Sequence, residues 1–262
     1  MNWWRGLSRR RRWLVVAVAV VVAAGVVVVG VRSVGGGVGP VEQSRPGTVL
    51  LVPGYGGSRD SLLTLADRLR RAGREARVLT LPGDGTGDLK AQARVLDKAA
   101  SDAVAAGAPS VDVVGYSAGG VVARLWVGDG GGPVRRVVTL GSPLHGTEIA
   151  AVGGVVAPGA CPVACQQLSP GSALLNEIDG PVSVPWLSVW TDDDQTVVPP
   201  TSARLPGAVN VSLQGVCADA VVSHSELPTD PLVTGLVLRA LGTDPLTAPV
   251  AGDCATLRAA SP

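Results

Sequence analysis

The chain contains few of the residues on which several kinds of binding site depend. It has no phenylalanine, only two lysines and two histidines, and four cysteines among 262 residues. Residues 1–32 hold six arginines and no acidic residue, so the remainder carries 16 basic and 21 acidic residues. Without a basic stripe, nucleic acid is not an expected partner. The scarcity of Phe and Lys beside abundant Ala, Val, Gly and Arg suggests codon bias in a GC-rich genome rather than a function.

The cysteines lack the spacing of a zinc knuckle. Cys161, Cys165, Cys217 and Cys254 include no C-x-x-C pair. If the domain is exported, as the N-terminal segment described next predicts, an even number of cysteines favours disulfides. A zinc site built from all four remains the alternative reading, but no metal or other cofactor is expected.

The first 32 residues predict a membrane anchor. Arg5 and the run Arg9–Arg12 precede 19 uncharged, mostly apolar residues, 13–31. At about 1.5 Å per residue this helix would span the hydrocarbon core, and the arginines would keep the N-terminus in the cytoplasm. A secretory signal has a shorter apolar region and a small-x-small cleavage motif, which only Ser33–Gly35 approaches. We expect a single-pass protein of the cell membrane with its remaining chain outside the cytoplasm; secretion after signal cleavage is the alternative.

Residues 47–262 predict one α/β domain. The segment before it, 33–46, is rich in glycine and proline and is interpreted as a flexible linker. In the domain, short β-branched runs alternate with helical patterns, which favours a mostly parallel central sheet of about six strands with helices on both faces. The predicted strands are 48–52, 76–81, 111–114, 134–140, 184–191 and 209–213, and the predicted helices are 60–71, 88–106, 120–126, 169–178 and 231–241.

The pentapeptide Gly115-Tyr116-Ser117-Ala118-Gly119 lies between a predicted strand and a predicted helix. A G-x-S-x-G motif in that context is typical of a nucleophile elbow, in which a sharp turn exposes the serine hydroxyl above the sheet. The glycines two residues before and after the serine let the strand and the helix approach each other. In a chain with 35 glycines the motif alone is only a hypothesis, because a Gly-rich turn can match it by chance.

A nucleophilic serine needs a base, and the chain offers only His145 and His224. On a parallel sheet the expected order along the chain is serine, acid, histidine. His224 follows the last predicted strand and precedes the last predicted helix, as this order requires. His145 comes five residues after strand 134–140, too early for the base. We therefore predict His224 as the base of Ser117.

The acid is expected after strand 184–191, where three aspartates follow one another. Asp194 is favoured because it directly precedes an apolar, proline-anchored segment, Gln195–Pro199. The oxyanion of an acyl-transfer transition state needs two backbone N–H donors, for which we predict Ala118 and Tyr55. Tyr55 belongs to a Gly-rich loop after the first strand; a phosphate-binding loop is the alternative, but G-x-G-x-x-G and the P-loop lysine are missing.

These residues together resemble the α/β-hydrolase lipases, especially the small extracellular bacterial lipases and the fungal lipase B type. The segment Leu140–Thr147 is similar to the stretch that such lipases carry after the strand following the elbow. Asp194–Pro199, with Val197 at its centre, is similar to the acid turn of the lipase B type. One feature departs from the family: its oxyanion loop usually begins with His-Gly, whereas this one begins Pro53-Gly54. The hydrogen bonds that fix the loop must then come from elsewhere.

The resemblance implies a serine ester hydrolase, a lipase or carboxylesterase that forms an acyl-enzyme on Ser117 and acts on lipid or other esters. It implies that His145 is not the base and that Cys217 pairs with Cys254. The short spacing of Cys161 and Cys165 favours their pairing. An envelope acyltransferase with the same triad and a non-catalytic binding module with a hydrolase fold are the alternatives. A monomer is expected.

The apolar stretch 149–156 is predicted to form one wall of an acyl pocket. It follows the strand next to the elbow strand and has no charge. Within it, Val155 and Val156 are the predicted contacts to the acyl chain, with Tyr116 and His145 as further pocket residues. A buried packing segment without contact to substrate is the alternative.

Overall fold

The computed structural model describes residues 41–156 and 161–261, with the backbone alone for Val155 and Val156. The predicted anchor and most of the predicted linker lie outside these residues. In the two described ranges, no helix combines the length and the apolar character needed to cross a bilayer.

Six strands form one sheet, and every neighbouring pair is parallel. The order across the sheet is β2-β1-β3-β4-β5-β6. The strands are β1 (Thr48–Val52), β2 (Ala76–Val78), β3 (Val111–Tyr116), β4 (Val134–Leu140), β5 (Trp186–Trp190) and β6 (Val209–Ser212). The predicted parallel sheet of about six strands is confirmed. Since β3 lies between β1 and β4, the elbow that follows it stands near the middle of the sheet's carboxyl edge.

Nine α-helices connect and cover the strands in the described part of the chain. They are α1 (Asp60–Arg71), α2 (Leu89–Ala105), α3 (Ala118–Gly128), α4 (Glu148–Val156), α5 (Val163–Gln167), α6 (Ala173–Glu177), α7 (Leu213–Val216), α8 (Pro231–Ala240) and α9 (Cys254–Ala259). Short 3₁₀ turns cover Pro200–Ala203, His224–Glu226 and Ala251–Asp253.

Alternate strand side chains point into two separate apolar layers. Leu50 and Val113 pack with α2 and α3 on one face of the sheet. Val49 and Val138 pack with α1 and α8 on the other face. Because both faces are covered, the central strands read as nearly continuous apolar runs rather than as alternating ones. The predicted helices on both faces are confirmed.

Several predicted elements are longer than those observed; the strand predicted over 184–191, for example, covers Trp186–Trp190. The strand predicted to end at Leu81 ends at Val78, although Leu81 is buried, so the apolar pattern there reflects packing beyond the sheet. The helix predicted over 169–178 covers only Ala173–Glu177. Pro170 and Gly171, the latter with a φ of 72°, keep the helix from starting earlier. The side chain of Ser172 caps the shorter helix by accepting the Leu175 N–H.

A buried ionic cluster closes the amino edge of the sheet. Asp112 on β3 accepts hydrogen bonds from Arg135 on β4, at 2.7 and 3.0 Å, and from Arg74, at 2.5 Å. Arg135 also donates to the carbonyl of Leu241, where α8 ends, and to the carbonyl of Gln43. A cation at a helix C-terminus offsets the partial negative charge of its free carbonyls. Gln43, in the predicted linker, is therefore hydrogen-bonded to the sheet.

Two disulfides join all four cysteines. Cys161 is bonded to Cys165, and Cys217 to Cys254, the pairing favoured by the sequence and by the resemblance. The second bond fastens α9 to the segment after α7, seven residues before His224. A zinc site built from four thiolates is excluded, since these sulfurs are bonded to one another. Disulfides form in oxidising compartments, which indicates a domain that resides outside the cytoplasm.

Candidate active site

Ser117 stands at the turn between β3 and α3 in a strained backbone conformation. Its φ is 53° and its ψ is −127°, and it is the one non-glycine residue with a positive φ in the part of the chain that the structure describes. Such a conformation costs about 1–3 kcal/mol. The Ser117 N–H donates to the Leu140 carbonyl at 2.8 Å, which fixes the turn to the adjacent strand β4.

The two glycines of the elbow are required by close backbone contacts. A Cβ on Gly115 would lie 2.6 Å from the carbonyl oxygen of Gly119, because the strand and the helix cross there. A Cβ on Gly119 would lie 2.6 Å from the carbonyl oxygen of Pro53, at the end of β1. The G-x-S-x-G spacing therefore has the steric cause that the sequence motif predicts.

Ser117, His224 and Asp194 form a continuous hydrogen-bonded chain. His224 Nε2 lies 3.0 Å from Ser117 Oγ, and His224 Nδ1 lies 2.7 Å from Asp194 Oδ2. Ser117, His224 and Asp194 are 9%, 8% and 5% exposed. In such a site water screens the hydrogen bonds little. One ring nitrogen can take the serine proton while the other remains bonded to a carboxylate.

Hydrogen bonds from backbone and side-chain groups hold the turn that carries Asp194. Asp194 Oδ1 accepts the N–H groups of Thr196, at 2.9 Å, and Val197, at 2.8 Å, which leaves Oδ2 for the imidazole. The Thr147 hydroxyl donates to the Thr196 carbonyl, and Gln214 Nε2 donates to the Thr191 hydroxyl. Sequence reasoning missed Thr147 and Gln214, because neither is near Asp194 along the chain and neither belongs to a motif.

The loop that carries His224 begins with a capping box. The Glu226 carboxylate accepts the Ser223 hydroxyl at 2.6 Å and the Ser223 N–H at 2.8 Å. These hydrogen bonds, that from the hydroxyl first, hold the pKa of Glu226 below its ordinary value. Ser223 and Glu226 thus flank His224, and the signature S-x-x-E at 223–226 is the sequence signal that marks this turn.

Tyr116, predicted as a pocket residue, packs against His224. Its ring centroid lies 5.2 Å from that of His224, and its hydroxyl donates to the His224 carbonyl at 3.2 Å. Burial, together with the negative charge of Asp194, raises the pKa of Tyr116 to about 12. The phenol therefore stays protonated over the neutral range and keeps its hydrogen bond to the backbone of His224.

Gly141, which the sequence analysis did not single out, lies against the triad. Its φ is 54°, and a Cβ there would lie 3.1 Å from His224 Nδ1, 3.2 Å from Asp194 Oδ2 and 2.6 Å from a methyl carbon of Leu227. Any side chain at this position would press on the hydrogen bond between Asp194 and His224. The usable signal was the glycine at the carboxyl end of a strand beside the elbow.

The predicted oxyanion loop abuts the nucleophile. A Cβ on Gly54 would lie 2.9 Å from Ser117 Cβ. Tyr55 is the second residue of a tight turn that the Gly57 N–H closes on the Gly54 carbonyl, and Gly56, with φ of 82°, suits the third position of a type II turn. The hydrogen bond from Gly57 to Gly54 is one of the contacts that fix this loop, which lacks the His-Gly pair found in the lipases that the chain resembles.

The second predicted donor, the Ala118 N–H, is the first of helix α3. It has no acceptor within its own helix, because the first four N–H groups of a helix lack an intrahelical carbonyl. The positive end of the α3 dipole therefore lies beside Ser117. The roles of Ala118 and Tyr55 as oxyanion donors stay predictions.

The remaining predicted residues lie apart from the triad hydrogen bonds. The exposed His145 places Nδ1 3.0 Å from the Ser202 carbonyl, so its ring contacts the 3₁₀ turn that follows the acid segment. The apolar stretch 149–156 forms most of α4, where Ile149 and Val152 are more than half exposed. The side chains of Val155 and Val156 lie outside the described atoms, and the acyl-pocket wall stays a prediction.

Comparisons with known proteins show which solved structures share this architecture. No family model matches the sequence, and the curated proteins contain no match. Among solved structures, Aspergillus fumigatus lipase B is similar with a TM-score of 0.65 at 19% identity, over 86% of this chain and 58% of that one. The mature form of a Bacillus licheniformis lipase has a TM-score of 0.60 at 17% identity, over 76% and 93%. A metagenome-derived lipolytic enzyme has a TM-score of 0.56 at 16% identity, over 77% and 98%.

At these identities the comparisons establish the fold. The chain spans 58% of the length of the Aspergillus protein, whereas it covers nearly all of the two bacterial or metagenomic structures. In this chain the fold consists of a parallel sheet in the order β2-β1-β3-β4-β5-β6, with the serine turn after β3. The chain has the α/β-hydrolase fold, as the resemblance of its motifs predicts.

Proposed function

We propose that this protein is a serine ester hydrolase, a lipase or carboxylesterase that works through an acyl-enzyme on Ser117. The observation that carries the proposal is the buried hydrogen-bonded chain from Asp194 through His224 to Ser117, at 2.7 and 3.0 Å. Ser117 also lies in a strained turn, a conformation typical of a nucleophilic serine and not of a serine that caps a helix. The similar lipases support the proposal through the shared fold.

The proposed reaction has two halves with the same base. His224 Nε2 takes the Ser117 proton as Oγ attacks the ester carbonyl carbon, and Asp194 stabilises the imidazolium that forms. The N–H groups of Ala118 and Tyr55 would bind the oxyanion. When the tetrahedral intermediate collapses, the bond from carbon to the alcohol oxygen breaks and the alcohol leaves with the proton from Nε2. Water, activated by the same imidazole, then attacks the acyl group and releases it from Ser117 as a carboxylic acid.

Covalent labelling tests the proposal directly. A fluorophosphonate probe should label the wild-type chain and not Ser117→Ala, while Ser101→Ala, which removes an exposed hydroxyl on α2, should label fully. Hydrolysis of p-nitrophenyl esters from acetate to palmitate, beside emulsified tributyrin, would then define the acyl preference. A wild-type chain that neither reacts with the probe nor hydrolyses any of these esters would favour the binding module. Preferred transfer of the acyl group to an added alcohol over water would favour an acyltransferase.

We also propose that the catalytic domain is held outside the cytoplasm by an uncleaved N-terminal anchor. The two disulfides support the compartment, and the uncharged run 13–31 supports the anchor. N-terminal sequencing of the native protein should find the start of the full chain. A start near Gly35 or Gly36 would refute the anchor and make the protein secreted.

A further inference from the structure

We infer that Gln92, buried in helix α2, is a positioning residue for the predicted oxyanion loop. Its side-chain amide holds the loop 82–88, and this loop in turn holds the turn that carries Tyr55. The role rests on the proposed ester hydrolysis and on the predicted use of the Tyr55 N–H as an oxyanion donor. It supplies the support that Pro53-Gly54, in place of the His-Gly pair of the lipases that the chain resembles, cannot give.

The turn that carries Tyr55 is in close contact at both of its ends. At one end, a Cβ on Gly54 would lie 2.9 Å from Ser117 Cβ. At the other end, a Cβ on Gly85 would lie 2.5 Å from the backbone nitrogen of Gly57 and 2.7 Å from its Cα. No side chain fits between the two loops, so backbone packs directly against backbone. A shift of Gly85 is therefore passed on to Gly57, because no side chain can change its rotamer to absorb it.

Gln92 fixes the position of Gly85. Its amide nitrogen donates to the carbonyls of Gly85 and Gly87, both at 3.2 Å. Gln92 is 2% exposed, and a buried amide is unfavourable unless its hydrogen bonds are made. The segment 83–87 contains three glycines, whose backbone has many accessible conformations. The two hydrogen bonds from Gln92 select one of them.

The part of the loop that Gln92 holds is the part that meets the Tyr55 turn. The atoms nearest to a Cβ placed on Gly57 belong to Asp84 and Gly85. Helix α5 holds the later part of the loop, through the Ala164 N–H on the Thr86 carbonyl at 3.0 Å and the Gln167 amide on Asp88 at 2.7 Å. Among the described residues outside the loop, Gln92 is thus the one whose side chain bonds Gly85.

A shifted Tyr55 N–H would weaken binding of the oxyanion and leave the Ser117 nucleophile and its base in place. Removing one oxyanion donor costs about 10²- to 10³-fold in kcat. Loss of the Gln92 amide displaces the donor rather than removing it, so we expect a fall of about 10- to 100-fold. The oxyanion exists in the transition state and not in the bound ester, so KM should change little.

Gln92→Met tests this role, because methionine fills a similar space without an amide donor. With the full-length chain in detergent and active sites counted by fluorophosphonate titration, kcat on p-nitrophenyl butyrate should fall about 10- to 100-fold per site. The inhibition constant of an alkyl trifluoromethyl ketone, which forms an oxyanion on Ser117, should rise by a similar factor. A purely structural role would lower the number of active sites and the Tm but leave both values per site unchanged.

Two alanine variants disturb the same contact without changing Gln92. Gly83 and Gly85 both have a positive φ, at 59° and 74°, so alanine adds similar backbone strain at either position. A Cβ on Gly83 would meet nothing within 4 Å, whereas one on Gly85 would press on Gly57. Gly85→Ala should therefore show the pattern of Gln92→Met, and Gly83→Ala should keep the wild-type kcat and inhibition constant per site.

The outcomes separate this role from the proposed function. Wild-type values per site in folded Gln92→Met or in folded Gly85→Ala overturn the inference alone, and if only one of the two folds, that variant decides. Failure of both to fold beside a folded Gly83→Ala also overturns it, because the loop then serves the fold only. A wild-type chain that neither hydrolyses p-nitrophenyl butyrate nor reacts with the fluorophosphonate overturns the proposed function as well.

Discussion

At the scale of single residues, the two histidines of the chain differ in what their ring nitrogens contact. His224 lies between a serine and a carboxylate, at 3.0 and 2.7 Å, and is buried. His145 is exposed and bonds only the Ser202 turn in the described part of the chain, through its ring and its backbone N–H. The same residue type therefore serves the proposed chemistry in one place and a loop contact in the other.

Replacing each histidine by alanine should separate these roles. His224→Ala should lower kcat on p-nitrophenyl esters by something on the order of 10⁴ to 10⁶ with little change in KM, because the base is lost while binding remains. His145→Ala should keep measurable turnover and lose about 0.5–1.5 kcal/mol of stability, the value of one hydrogen bond. Kinetics and thermal melts of both variants check this. The reverse pattern would overturn the triad assignment.

Tyr116 should show its burial in an alkaline titration. Its pKa is raised to about 12, so the unfolded phenol, with a pKa near 10, ionises first. The stability that Tyr116 contributes is therefore complete below about pH 10 and is lost as the pH rises toward 12. The difference in absorbance at 295 nm between wild type and Tyr116→Phe should contain one phenolate step near pH 12. A difference step near pH 10 would contradict the burial of the ring.

At the scale of elements, the site is assembled from turns at the carboxyl ends of neighbouring strands. The turn after β3 holds Ser117 and the turn after β5 holds Asp194, while β4 between them ends at Leu140, directly before Gly141. Gly141 leaves room for the bond between acid and base, since a Cβ there would lie about 3 Å from both polar atoms. The turn after β4 thus serves the site without supplying a reactive group.

Two glycine-to-alanine variants isolate that steric role. Gly141 and Gly107 both have a positive φ, at 54° and 100°, so alanine brings backbone strain of about 1–2 kcal/mol at either position. A Cβ on Gly107 would meet nothing within 4 Å, whereas one on Gly141 would press on the triad. We expect Gly107→Ala to be less stable but fully active per folded molecule. Gly141→Ala should lose at least about tenfold in kcat, measured on samples shown to be folded by circular dichroism.

At the scale of the whole molecule, the ionic cluster at the amino edge joins the sheet to its last helix. The side chains of Asp112 and Arg135 are wholly buried, and Arg135 also donates to the Leu241 carbonyl at the end of α8. Removing one partner of a buried pair leaves an uncompensated charge, at a cost of about 3–5 kcal/mol. The cluster lies at the edge opposite the site, so it contributes to stability rather than to chemistry.

Asp112→Ala should therefore lower the free energy of unfolding by about 3–5 kcal/mol, with ester hydrolysis retained while the chain is folded. Asp102→Ala is the matched control, because it breaks an ion pair with Lys98 whose two side chains are more than half exposed. Exposed pairs contribute little, so stability should be nearly unchanged. Urea unfolding of both variants measures the difference. Equal stability of the two variants would show that the buried charges are not needed.

The sequence by itself determined most of the elements and the candidate site residues. Helix α1 and strand β4 have the predicted bounds, because the spacing of buried side chains is a local property of the chain. The elbow was recognisable from adjacent residues, and the order of strands along a parallel sheet placed the acid and the base after later strands. Both predicted partners of Ser117 lie in one hydrogen-bonded chain with it.

Only the tertiary structure decided which distant side chains support that site. Thr147 and Thr196 are 49 residues apart, and Arg135 and Leu241 are 106 apart, so no local pattern links them. The same holds for Gly141, whose neighbours come from two other loops. A local pattern records how a segment meets an apolar core, whereas contacts between polar groups depend on how the segments are placed in space.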